Sequence, residues 1–171
     1  MSGRILGSTI TGAALLAAAP ALAEQLSPRQ IGSVHPEAIR FVPFPAFPAG
    51  AEIAHVVGDP ATPGPYVVRV KVAGGVRLMP HTHPEDRVYT VISGVFYIGF
   101  GSVFDATALN AYGPGSVVVL PGNTPHFHWA ISGEYISQVS GAGPLGITYI
   151  DAESDPRTSD AGAAGASSSA P

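Results

Sequence analysis

Cysteine is absent from the 171 residues, so disulfides and a thiolate nucleophile are excluded. Lysine occurs once, at Lys71, and charged residues make up only 12% of the chain. No basic stripe can therefore follow a phosphate backbone, and nucleic acid is not an expected partner. So little charge, set beside 21 Gly and 17 Pro, also argues against a coiled coil or helical solenoid. Beyond residue 40 there is no sustained apolar repeat of helical period. There is no serine in a Gly-x-Ser-x-Gly elbow and no carboxylate pair at glycosidase-like positions.

What is present begins with two distinctive ends. Residues 1–23 read as a secretory signal: Arg4, an uncharged stretch rich in Ala, Leu and Ile, then Ala21-Leu22-Ala23 before Glu24. The rival reading, an uncleaved anchor, is a weak span of marginal length, with a proline at 20. Cleavage after Ala23 predicts a periplasmic or secreted protein with no stable membrane insertion, relying on its core without disulfides. Residues 158–171 are Thr, Ser, Ala, Gly and Pro apart from Asp160, which predicts a disordered tail.

Between these ends the chain is long enough for one domain with a sizeable core. Residues 24–52 predict an irregular lead-in, because Phe41 to Gly50 sets apolar side chains between prolines that cannot donate a backbone bond. It is expected to pack across a sheet edge. Residues 53–157 form the predicted barrel. There, short β-branched and aromatic runs alternate with Gly/Pro punctuation at Ile53-Val57, Tyr66-Val72, Val76-Met79, Arg87-Ile92, Val95-Phe100, Ser116-Leu120, His126-Ile131, Tyr135-Val139 and Ile147-Ile150. Nine strands predict an all-β sandwich or barrel, with Asp105 to Tyr112 as a helical turn or long loop.

Four of the six histidines fall in two His-x-His pairs, His81/His83 and His126/His128, each in or beside a predicted strand. Residues two apart on a strand share a face, so both imidazoles of a pair can converge on one point. Neutral imidazole is a ligand for Zn, Fe, Cu and Ni. His35 and His55 lack a pattern-mate and read as solvated. Phe127 and Trp129 alternate with the second pair and read as packing on the opposite face.

These residues carry a family resemblance. Gly75, five residues, His81-Thr82-His83 and Gly94 match the spacing of the first cupin motif. Gly115, five residues, Pro121 and His126 match the second. The chain resembles a small single-domain exported cupin over roughly residues 53–150. That resemblance implies a double-stranded β-helix of the jelly-roll class, with His81, His83 and His126 as ligands to a divalent transition metal (Fe, Mn, Zn, Ni or Cu). Edge-strand pairing into a homodimer is a further reading that the family suggests.

The sequence departs from the pattern where the family expects glutamate, seven residues before the closing glycine: here stands Arg87. Asn123 replaces a glycine of the second motif and Ala130 an asparagine. Arginine has no free lone pair and cannot ligate. At about 5 Å and a dielectric near 20, its charge would repel a divalent ion by roughly 6–7 kcal/mol. Three arrangements relieve this. The guanidinium points away, Glu85 or Asp86 pairs with it, or an anionic substrate bridges arginine and metal, making Arg87 a carboxylate or phosphate clamp. Substitute ligands are His128, on the face of His126, and Glu85. Tyr89, two beyond Arg87, either fills the barrel or donates to a substrate. The histidines thus make either a metal centre or a metal-free polar pocket. The chain is read as a metal-dependent enzyme of oxygenase or isomerase type acting on a small, acidic organic molecule, or as a non-catalytic binder of a small ligand or metal.

Overall fold

The computed structural model describes residues 32–158; the predicted signal sequence and all but the first residue of the predicted tail lie outside them. Eleven strands form two antiparallel sheets. The first sheet joins β1 (Val42–Pro43), β2 (Ala51–Val57), β3 (Gly64–Val72), β10 (Tyr135–Gly143), β5 (Arg87–Ser93) and β8 (Val117–Leu120), in that spatial order. The second joins β11 (Thr148–Tyr149), β4 (Arg77–Thr82), β9 (His126–Trp129), β6 (Phe96–Phe100) and β7 (Asn110–Tyr112). All nine predicted strands are present.

Two short strands were not expected. In the lead-in, β1 pairs with β2 through Val42–Ile53 and Pro43–Glu52, at the outer edge where a proline costs no ladder bond. The predicted loop contains a 3₁₀ turn over Ala106–Ala108, capped by the Asp105 carboxylate accepting from the Thr107 N–H at 2.8 Å, and then β7 on β6. Both strands are too short for alternation to reveal them.

The period-two pattern fills the space between the sheets. Tyr66, Val68, Val70 and Val72 of β3 point inward with Tyr135 and Val139 of β10, Tyr89 and Val91 of β5, and Val118 and Leu120 of β8. Leu78, Phe96 and Ile98 meet them from the second sheet. Phe44 and Phe47 of the lead-in pack edge to face, centroids 5.0 Å apart, against this core and against a small cluster of Ala46, Ile147 and Tyr149.

Two of the glycines illustrate how little room the fold leaves for a side chain. Gly94, the closing glycine of the first motif, has φ +71°, and a Cβ there would lie 2.2 Å from the Glu134 carbonyl oxygen. Gly99 of β6 lies under the fully buried Phe127 ring, where a Cβ would sit 2.3 Å from two ring carbons. Gly99→Ala is expected to lower stability by about 1–3 kcal/mol, the usual cost of overpacking, as a reduced urea midpoint at unchanged slope. Asn123, in the glycine position of the second motif, adopts φ 59°, a conformation asparagine tolerates better than other side chains.

Candidate metal centre

Two local features of β4 aim its histidines inward. The β4–β9 ladder shifts register between Leu78 and His81, where Pro80 has no N–H to give. Leu78 and His81 therefore both face the interior, although an unbroken strand would have put them on opposite faces. His81 is then paired with His126, and His83 follows two residues later. On β9, His126 and His128 point inward, whereas Phe127 and Trp129 pack on the far face, Trp129 beneath the Arg77 guanidinium at 4.1 Å. His35 and His55 are exposed.

The ligand nitrogens of His81, His83 and His126 all lie within 4.8 Å of one another, and the three residues are buried. Each is oriented by a backbone carbonyl. Nδ1 lies 2.7 Å from the Met79 oxygen in His81, 2.6 Å from the Gly146 oxygen in His83 and 2.9 Å from the Thr124 oxygen in His126. A carbonyl can only accept, so each Nδ1 carries the proton and each Nε2 keeps its lone pair. This is the outer-shell arrangement that fixes ring orientation in metal-ligating histidines. Against these lone pairs the described residues set only the Tyr89 hydroxyl, 3.5 Å from His126 Nε2, a long contact.

His128 is a fourth neighbour, its ring centroid 5.0 Å from that of His126 and 5.6 Å from that of His81. Its Nδ1 is buried without a partner. Burial pushes the histidines toward the neutral form: His81 down to about 4 and His126 to about 3, with His83 and His128 also lowered. For His83 and His81 the nearby Arg87 charge adds to that effect.

The first sheet supplies the opposite wall. Arg87 is 5% exposed and forms a buried ion pair with Glu85. The same carboxylate oxygen accepts from the Tyr66 hydroxyl at 2.8 Å, and the other faces the Gly146 N–H at 3.4 Å. Asp86 instead accepts from the Gly122 N–H at 2.6 Å. Of the two carboxylates open to Arg87, it is Glu85 and not Asp86 that pairs with it. Arg87 Nε has no partner. Arg87, Tyr89, Ser137, His81, His83 and His128 contribute to the wall of a cavity of about 30 Å³, which contains no carboxylate. A separate cavity of about 300 Å³ is lined by Gly146, whose carbonyl holds His83, and by Thr82, Asn123 and Leu145.

Tyr66 was not singled out in the sequence. Its inward facing was readable from the alternation Tyr66, Val68, Val70, Val72, but its bond to Glu85 depends on the pairing of β3, β10 and β5, which local sequence does not display. Ser137, on β10, escaped for the same reason.

The two facing sheets match the fold of solved structures along most of their length. The polyketide cyclase RemF from Streptomyces resistomycificus superposes with a TM-score of 0.60 at 15% identity, over 77% of this chain and 94% of that one. This is the cupin fold. KdgF from Halomonas sp. gives 0.52 at 21% identity, over 66% of this chain and 96% of its own. The DMSP lyase DddQ from Ruegeria pomeroyi DSS-3 gives 0.53 at 16%, over 66% and 61%. No family model and no curated protein matches the sequence. Among the described residues, no helix is long and apolar enough to cross a membrane.

The donor set fits a transition metal. Three neutral imidazoles, each held by a carbonyl on its far nitrogen, bring lone pairs to one buried point where nothing but a long hydroxyl contact offsets their mutual repulsion. His81, His83 and His126 would hold such an ion and supply it three neutral nitrogen donors.

Proposed function

We propose that this protein is an exported cupin whose pocket holds a divalent transition metal on His81, His83 and His126, with His128 as an additional nitrogen, and binds or transforms a small acidic organic molecule. The carrying observation is the triad of buried Nε2 lone pairs, each fixed by a carbonyl behind it. Such an ion supplies Lewis-acid polarisation, or redox chemistry if it is Fe, Mn, Cu or Ni. Arg87 and Tyr89 face the same interior and provide donors for an acidic group. The inner cavity admits little more than that group. The enzyme names of two similar structures transfer no activity at 15–16% identity.

A non-catalytic binding barrel is the second reading. It is favoured by the absence of a carboxylate from the inner cavity and by the engagement of Glu85 with Arg87 and Tyr66, which removes an acidic general base.

Metal content of protein purified without a polyhistidine tag tests both readings, followed by competition with a chelator. His81→Ala and His126→Ala are each expected to weaken metal binding by more than about 100-fold, since loss of outer-shell partners alone costs 10–100-fold. Native protein that carries less than stoichiometric metal and takes up none on incubation would refute the metal centre. Turnover of a carboxylate substrate that disappears in both variants selects the enzyme; ligand binding indifferent to chelation selects the binder.

A further inference from the structure

The charge balance of the pocket is unusual for a centre meant to hold a dication. The three converging histidines are neutral, and the nearest carboxylate, Glu85, is committed to Arg87 and Tyr66. The protein therefore offers a divalent ion nitrogen ligands but no compensating negative charge. Two buried nitrogens, Arg87 Nε and His128 Nδ1, have no partner, and both residues line the same cavity of about 30 Å³. Buried donors left unsatisfied are costly, and native structures rarely keep them unless something else is bound. Water fits this space but brings no charge.

We propose that the pocket takes up its divalent ion together with a small monoanion of formate or bicarbonate size, held by Arg87 Nε and His128 Nδ1. Arg87 then stands in the motif glutamate's place by recruiting an exogenous oxyanion in its stead. The Glu85 pair holds the guanidinium in place, and the free Nε–H selects an acceptor. The cavity volume limits the anion to a few heavy atoms, so a free oxyanion or the carboxylate end of a larger molecule fits this chemistry. By linkage, the anion strengthens metal binding as much as the metal strengthens anion binding.

The inference rests on the metal reading above, and one titration separates the two. Cobalt(II) is titrated into metal-free protein in a sulfonate buffer at constant ionic strength, with and without millimolar sodium formate, and followed by calorimetry and by its visible d–d absorption. Formate is expected to tighten cobalt binding about tenfold or more and to shift the visible bands. Arg87→Lys keeps a cation for Glu85 but lacks Nε, and the enhancement should fall to about threefold or less. Arg87→Met with Glu85→Leu removes the pair whole and should lose the enhancement as well. Equal cobalt affinity and an unchanged spectrum with and without formate would overturn the co-binding inference and leave the metal centre standing. Cobalt that binds under neither condition overturns both.

Discussion

Arg87→Met is expected to lower the stability of the metal-free protein by about 3–5 kcal/mol, the cost of stranding one partner of a buried ion pair. Arg87 and Glu85 have side chains only 5% and 8% exposed. Without the guanidinium, the carboxylate would retain only the Tyr66 hydroxyl and a long approach from the Gly146 N–H. Replacing both residues, Arg87→Met with Glu85→Leu, is expected to recover most of the loss, because buried pairs are worth little against apolar side chains of similar volume. Urea unfolding of the wild type, both single variants and the double variant closes the cycle. Single losses below about 1 kcal/mol that simply add would mean that the pair behaves as a screened surface contact. The same substitution acts oppositely on the metal. It removes a positive charge that acts on the imidazoles, so Arg87→Met should bind zinc more tightly than the wild type while folding less stably. Isothermal titration of the two proteins checks that reversal of sign.

Most of the fold was legible because its signals are local. Alternation in β3 and β5, and the glycines and prolines between runs, mark strands whatever their partners are. The motif spacing then paired the two His-x-His segments, and the structure brings His81, His83 and His126 together. The less visible features depend on pairing across sheets. The register shift at Pro80 is an event in the β4–β9 ladder, and it is what lets Leu78 and His81 share a face. The partner of Arg87 was open among Glu85, Asp86 and an external anion. The choice fell to Glu85 because Tyr66, arriving from β3, supplies its carboxylate with a second bond inside, whereas Asp86 turns to the Gly122 N–H. The carbonyls behind the imidazoles are equally invisible in sequence: Gly146 reaches His83 across 63 residues.

Stability of the metal-free protein should fall steeply with pH below about 6.5, the titration point of histidine in an unfolded chain. Burial holds His81 down at about 4 and His126 at about 3, and it lowers His83 and His128 as well. Between pH 6.5 and about 4 the unfolded chain therefore binds protons that the folded one refuses. Stability contributed by these neutral imidazoles is complete above the unfolded value and is lost as pH falls toward the folded ones. Each histidine adds a slope of about 1.4 kcal/mol per pH unit once its unfolded form is fully protonated. A few buried imidazoles thus suffice to unfold a domain of ordinary stability near pH 5. Urea midpoints at half-unit steps from pH 7.5 to 4.5, measured with chelator, give the slope and hence the number of protons taken up. His128→Phe, a ring replacement among Phe96 and Tyr89, should reduce that number by about one. Zinc should shift the transition to lower pH, because a bound ion opposes protonation of its ligands and stabilises the fold by mass action. A flat profile from pH 7 to 5 in the metal-free protein would mean that the imidazoles protonate without resistance, which the packing between these two sheets does not allow.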